Sequence, residues 1–244
     1  MAWKLLAASI GLLVLCTAAR AGQPAGPPAG YTIYPEHAFT SPDGATTIEQ
    51  YAKTDADGDF TWQFWARHRD GDRDALTLLP PEQPDYPAGF RFTHDSRWVV
   101  RMQKTGSGEA SLYLYRLEPD GFAAATAKPL GDLAWAFFKS RPDLRKIRKP
   151  DFHFVAGLVK GADDNYRALG EILGESLQES LQETWPDSRY LVIGLSGEVS
   201  PNKHHGQMAA VDAWYCRYDL QTGKFDVPAE FAAHNAKAIA PPPL

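Results

Sequence analysis

Phe92-Thr93-His94-Asp95-Ser96-Arg97-Trp98-Val99-Val100 leads through the turn Thr105-Gly106-Ser107-Gly108 into Leu112-Tyr113-Leu114-Tyr115-Arg116-Leu117. Asp and Ser side chains bond their own backbone and set a turn. The β-branched and aromatic residues beyond them are those that suit a pleated, half-buried surface. Pro186-Asp187-Ser188-Arg189-Tyr190-Leu191-Val192 echoes the pattern and returns along Ala213-Trp214-Tyr215-Cys216-Arg217, and a fainter copy starts at Ser41-Pro42-Asp43-Gly44. Working outward, Thr47 to Ala52 and Phe60 to Ala66 read as two strands joined through Asp55-Ala56-Asp57-Gly58-Asp59, where Asp57-Gly58 is a tight-turn signal. Phe90 to Thr93 reads as the strand that feeds Trp98 to Gln103. Tyr190 to Gly194 and Ala213 to Tyr218 form a further pair, extended by a turn at Leu220 to Lys224 and a short strand at Phe225. The β material is therefore antiparallel in character.

The segment from Phe92 to Val100, with its return along Leu112 to Leu117, resembles one blade segment of the TolB-type, WD40-like propeller repeats of bacterial envelope proteins. The resemblance implies a blade-like hairpin. The two Asp-Ser-Arg motifs stand 92 residues apart, whereas blades recur at about 40 to 50. A full circle of blades is therefore not expected, and no functional residue is carried over.

Two helices are expected between the hairpins. Leu130, Leu133, Ala134, Phe137 and Phe138 share one helical face that Pro142 ends, and a second helix runs from about Asp163 to Trp185. In the second, Tyr166, Leu169, Ile172, Leu173, Leu177 and Leu181 form the apolar side and Glu175, Glu179 and Glu183 face elsewhere. The fold class expected is α+β, with antiparallel β-hairpins forming a sheet and two helices packed on one face. A small or degenerate β-propeller-like repeat is the alternative. One domain over 31–239 is expected, preceded by a Gly/Pro tether at 22–30 and followed by a Pro-rich tail at 240–244.

Residues 1–21 read as a cleavable signal peptide: Lys4 supplies the charge, Leu5 to Leu15 the apolar run, and Ala19-Arg20-Ala21 the small-residue cleavage pattern. That run is too short to cross a bilayer core, which takes about 20 helical residues. Leu13-Val14-Leu15-Cys16 approaches a lipobox but has Leu15 where a small residue belongs, so lipidation at Cys16 is the lesser reading. Cleavage removes Lys4 and Arg20, which takes the formal charge from −5 to −7. So acidic a protein is not a general nucleic-acid binder, which needs a basic surface to displace counterions. It also leaves Cys216 as the lone thiol, with no internal disulfide to form.

Several patterns approach known chemistry. Asp55, Asp57 and Asp59 gather oxygens on a short loop as calcium sites do, but Phe60 and Ala66 stand where an EF-hand needs Gly and a carboxylate. A plain hairpin turn is the stronger reading. Lys104-Thr105-Gly106 and Ser200-Pro201-Asn202-Lys203 carry the K-T-G and S-x-x-K motifs of serine β-lactamases in reversed order. Gly194-Leu195-Ser196-Gly197-Glu198 lacks the last glycine of a nucleophile elbow. His204 and His205 form the densest polar cluster, and His153, Glu198 and Asp212 are the groups that folding would have to bring to them for acid–base chemistry. Lys139, Arg141, Arg145, Lys146, Arg148 and Lys149 face one acid, Asp143, a local charge of +5 suited to an anionic partner.

No pattern completes a reaction centre and no cofactor is implied. The expectation is an exported, non-catalytic binding or envelope-associated module whose partner is an envelope protein, a polysaccharide or an anionic surface. A hydrolase with a loop-assembled site and a periplasmic inhibitor of another enzyme are the alternatives.

Overall fold

The computed structural model of the chain describes residues 26–71, 73–106, 108–141, 152–158, 189–199 and 211–239. The described strands arrange themselves as three four-stranded antiparallel meanders. The first is β2 (Phe39–Thr40), β3 (Thr46–Thr54), β4 (Phe60–Asp70) and β5 (Arg73–Leu78). With β1 (Thr32–Ile33) on β3 and β6 (Gln83–Pro84) on β4, it makes a six-stranded sheet. The second is β7 (Ala88–Phe92), β8 (Trp98–Gly106), β9 (Glu109–Glu118) and β10 (Gly121–Ala124). The third is β11 (Phe152–Leu158), β12 (Tyr190–Val199), β13 (Val211–Asp219) and β14 (Lys224–Asp226). A parallel bridge between Val155 of β11 and Ala110 of β9 joins the second and third into one eight-stranded sheet.

The echo in the sequence is a repeated hydrogen-bonded turn. At its faintest copy, Ser41 N–H donates to Thr46 O at 2.8 Å, and Thr46 N–H donates to Ser41 Oγ at 2.9 Å. The Asp43 carboxylate accepts from Ser41 Oγ at 2.6 Å and from Ala45 N–H at 2.9 Å. In the second copy Thr93 takes the part of Ser41 and Asp95 that of Asp43: Thr93 N–H reaches Trp98 O at 3.0 Å, Trp98 N–H reaches Thr93 Oγ1 at 3.1 Å, and Asp95 accepts from Thr93 Oγ1 and Arg97 N–H. The residue after each Asp is left-handed, Gly44 at φ 72° and Ser96 at φ 57°. Glycine takes that conformation without strain, and Ser96 is held in it by the turn around it. Each copy then accepts one amide from a later residue: Arg69 N–H to Ala45 O, Leu117 N–H to Arg97 O and Leu220 N–H to Arg189 O, at 2.8–2.9 Å. The first two turns also touch, Asp43 N–H donating to Ser96 Oγ at 3.2 Å.

Two apolar cores lie on opposite faces of β7–β9. On one face Phe90, Phe92, Val99, Tyr115 and Phe122 pack against Phe39, Ile48, Trp62 and Phe64 of the six-stranded sheet. On the other, Val100, Met102, Leu112 and Leu114 pack with Leu191, Ile193, Trp214 and Cys216 and with the helix α1 (Leu130–Ser140). Both faces of β7 and of the middle of β8 are buried, so that the polar side chains of Arg91, Arg101 and Gln103 lie inside beside the apolar ones. Each buried Phe or Leu contributes roughly 1.5–3 kcal/mol of transfer free energy. The side chain of Gln50 links the sheets. Its Nε2 donates to Ala88 O and His37 O, each at 2.8 Å, and its Oε1 accepts from Ala88 N–H at 3.0 Å.

The α+β expectation is corrected here. The described chain is predominantly strand, in two sheets, and its helices are α1, with eleven residues, and a four-residue turn of helix, α2 (Ala232–Asn235). A sequence reading that recognised only the long alternating strands undercounted β structure, because β2, β5, β10 and β11 are short or carry weak alternation. α1 forms where the apolar spacing placed it, burying Leu130, Ala134, Trp135 and Phe138. The second expected helix, about 163–185, lies outside the described residues. The two Asp-Ser-Arg hairpins lie in the second and third meanders, which the parallel bridge between Val155 and Ala110 joins into one sheet. Among the described residues no helix is long and apolar enough to cross a membrane.

Candidate functional site

Two ends of the sheets gather the residues singled out by chemistry. At the first, Phe152 pairs with Val199 and His153 with Glu198 across β11 and β12. The pairing of β12 with β13 slips between Leu195 and Gly197, so that Asp212 and Ala213 together oppose Ser196 in a β-bulge. The backbone thus brings His153, Glu198 and Asp212 to one end of the sheet. His204 and His205 belong to 200–210, outside the described residues, as do Ser200 and Lys203.

The bulge is secured by groups that a catalytic reading would want elsewhere. Ala213 has φ 52°, a left-handed conformation that is uncommon for a residue with a Cβ. Its N–H donates to Ser196 Oγ at 2.9 Å, and its carbonyl lies 2.7 Å from His234 Nε2. A carbonyl only accepts, so Nε2 carries the proton in this contact. The His234 ring stacks on Tyr215 at 3.8 Å and 16°, while Asn235 bonds both the N–H and the carbonyl of Tyr215, at 2.7 and 2.9 Å. Ser196 sits within a strand and not on the strand-to-helix turn that lifts a nucleophile clear of a sheet. Sequence reading missed His234 and Asn235, which lie in a short C-terminal segment with no periodicity to mark it.

Of the basic run, Lys139 and Arg141 are described. They extend from the end of α1, Lys139 Nζ lying 5.9 Å from the centre of the Trp135 ring and Arg141 Cζ 5.7 Å from that of Trp214. Cations at a helix C-terminus also suit its dipole. Arg145, Lys146, Arg148 and Lys149 lie outside the described residues. The Lys104-Thr105-Gly106 triplet closes β8, with Lys104 Nζ 4.3 Å from the centre of the Tyr86 ring.

The second end belongs to the six-stranded sheet and holds Asp55, Asp57 and Asp59. Asp55 Oδ1 accepts the N–H groups of Asp57 and Asp59 at 2.9 and 3.0 Å, and Asp55 N–H donates to Asp59 O, so this carboxylate builds the hairpin turn. Gly58, at φ 90°, closes it. Among the described residues no three His, Cys, Asp or Glu side chains come together in the grouping a metal ion requires.

Directly after the turn comes a cluster of rings absent from the sequence reading. Phe60, 37% exposed, stacks on Trp62 at 6.2 Å and 29°. Tyr34 meets the same indole at 5.0 Å, and His37 meets it edge-on at 6.2 Å. Trp62 is buried, and its Nε1–H has no hydrogen-bond partner among the described residues. Tyr34 and His37 come from a short 3₁₀ approach to β2 that no periodic signal marks. The cluster sets ring faces beside the carboxylates of the acidic turn.

Comparisons of the chain with protein-family models, with curated proteins and with solved structures return no match.

Proposed function

We propose that the chain is an exported, non-catalytic binding module that acts in the cell envelope. The observation that carries this reading is the Phe60 end of the six-stranded sheet, where an exposed ring stacks on a buried indole beside an acidic turn. Exposed aromatic anchors backed by a rigid core are what interfaces are built around. Export rests on the leader pattern of residues 1–21. An envelope protein is the partner that would use both the acidic, aromatic end and the cations at Lys139 and Arg141. An acidic polysaccharide or an anionic surface would use only the latter. Ser196 and His234, each bonded to the backbone of Ala213, are spent on the bulge.

The hydrolase reading keeps one observation in its favour, the convergence of His153, Glu198 and Asp212 at one end of the sheet. A screen of the full chain on ester, amide, phosphate and glycoside substrates decides between the two. The binding reading expects no turnover. Turnover that disappears in the His204→Ala, His205→Ala double variant replaces it with the hydrolase.

A further inference from the structure

We propose that the Phe60 end of the six-stranded sheet receives a basic side chain, arginine or lysine, from an extended segment of a protein partner. This rests on the binding-module reading and specifies its ligand. Three observations converge. The first is charge: Asp57 and Asp59 in the turn, Asp85, whose N–H donates to Phe60 O at 2.8 Å, and Glu36 beside His37 are all exposed around the rings. Against them stands one exposed ammonium on the neighbouring strand, Lys53. The second is the ring set, since a guanidinium plane or an alkylammonium stem packs on aromatic faces such as Phe60 and Tyr34. The third is the Trp62 indole beside those rings: the residue is 6% exposed and its N–H donates to no group among the described residues. A buried donor is costly unmet, and because this one has no accessible surface of its own, a peptide carbonyl beside the bound cation would satisfy it only as the Phe60 ring moves aside on binding.

These features separate a basic peptide from the other occupants. A neutral glycan could stack on Phe60 and accept from the indole, but its binding would be indifferent to the carboxylates and to salt. A free metal ion would use the carboxylates and ignore the rings. The peptide alone answers charge, rings and donor together, and its affinity falls as salt screens the exposed acids.

The experiment uses the full chain carrying ¹⁵N-indole tryptophan, with the Trp62 signal assigned by its loss in Trp62→Phe. The probe is the capped peptide acetyl-Gly-Arg-Gly-Lys-Gly-amide. The Trp62 indole resonance is expected to move saturably, with affinity that weakens as salt is raised. Asp57→Asn and Asp59→Asn should each weaken binding roughly two- to fivefold, the range for exposed ion pairs. Phe60→Ala should abolish the shift while the other indole signals keep their native positions, which shows that the variant is folded. The inference is overturned if Trp62 does not move, if the same peptide with Gln at both basic positions moves it equally, or if chitobiose or calcium chloride moves it and the peptide does not. Should the peptide fail while an envelope fraction still retains the chain, this inference alone falls. Loss of both removes the binding-module reading as well.

Discussion

Replacing Gln50 by Leu should uncouple the two sheets more than its size suggests. Gln50 is fully buried, and its amide makes three bonds, to His37 O, Ala88 O and Ala88 N–H. Ala88 begins β7, an edge strand, and both of its backbone groups that bond Gln50 are served by this side chain. Leucine nearly matches the volume of glutamine, so the cavity cost is small and the loss is one of hydrogen bonds. Each buried partner left unsatisfied costs about 1–3 kcal/mol, and some of the three will relax, giving about 3 kcal/mol overall. In urea this should lower the unfolding midpoint with little change in slope, because the surface exposed on unfolding is unchanged. For a domain of this size it corresponds to a fall in Tm of roughly 6–12 °C. A Gln50→Leu protein within about 0.5 kcal/mol of wild type would refute the reasoning, since surface substitutions fall in that range.

Three further outcomes are expected. Gly121 has φ 111°, and a Cβ there would run into Thr77 Oγ1, so Gly121→Ala should cost at least about 2 kcal/mol in a denaturant titration. Adding Thr77→Ala should return only part of that, because the backbone strain remains. Burial drives the Cys216 thiol far above its ordinary range, so in a Cys16→Ser chain a thiol reagent should label the native protein no faster than it unfolds; rapid labelling of folded protein would contradict the buried placement. Burial raises the Asp43 carboxyl, but hydrogen bonds from Ser41 Oγ and Ala45 N–H outweigh it and hold the group below its ordinary value. A depressed acid stabilises above its unfolded pKa and loses that contribution as pH falls through the folded one. Wild type should therefore lose stability on acidification below about pH 4 that Asp43→Asn does not lose, and parallel acid profiles would count against the turn.

The repeat was legible because its turn is built from local side-chain chemistry. The Asp43 and Asp95 carboxylates accept from amides two positions on, and the Ser41 and Thr93 hydroxyls from amides five positions on, so the pattern survives in sequence even where Thr93 replaces Ser41. The long strands were legible for the same kind of reason, and Phe60 to Ala66 or Ser111 to Leu117 sit inside β4 and β9. What was not legible depends on partners far along the chain. β5 and β10 are short strands defined by what they pair with, and β11 alternates poorly around Gly157. The ring cluster draws Tyr34 and His37 to Trp62 from across the sheet, and no spacing rule connects them. The same holds for His234 and Asn235, whose roles are set by the backbone of β13. Of the sequence candidates, Asp55 became a turn acceptor and His153, Glu198 and Asp212 gathered at one sheet end.

The central claim is that this chain binds through the Phe60 end of its first sheet. Its most direct test is co-sedimentation of the purified chain with an envelope fraction, wild type beside Phe60→Ala, over a series of chain concentrations and salt. The account predicts saturable retention of wild type that salt weakens and that Phe60→Ala largely removes without lowering thermal stability. Equal retention of the two proteins, or retention of neither, would contradict it.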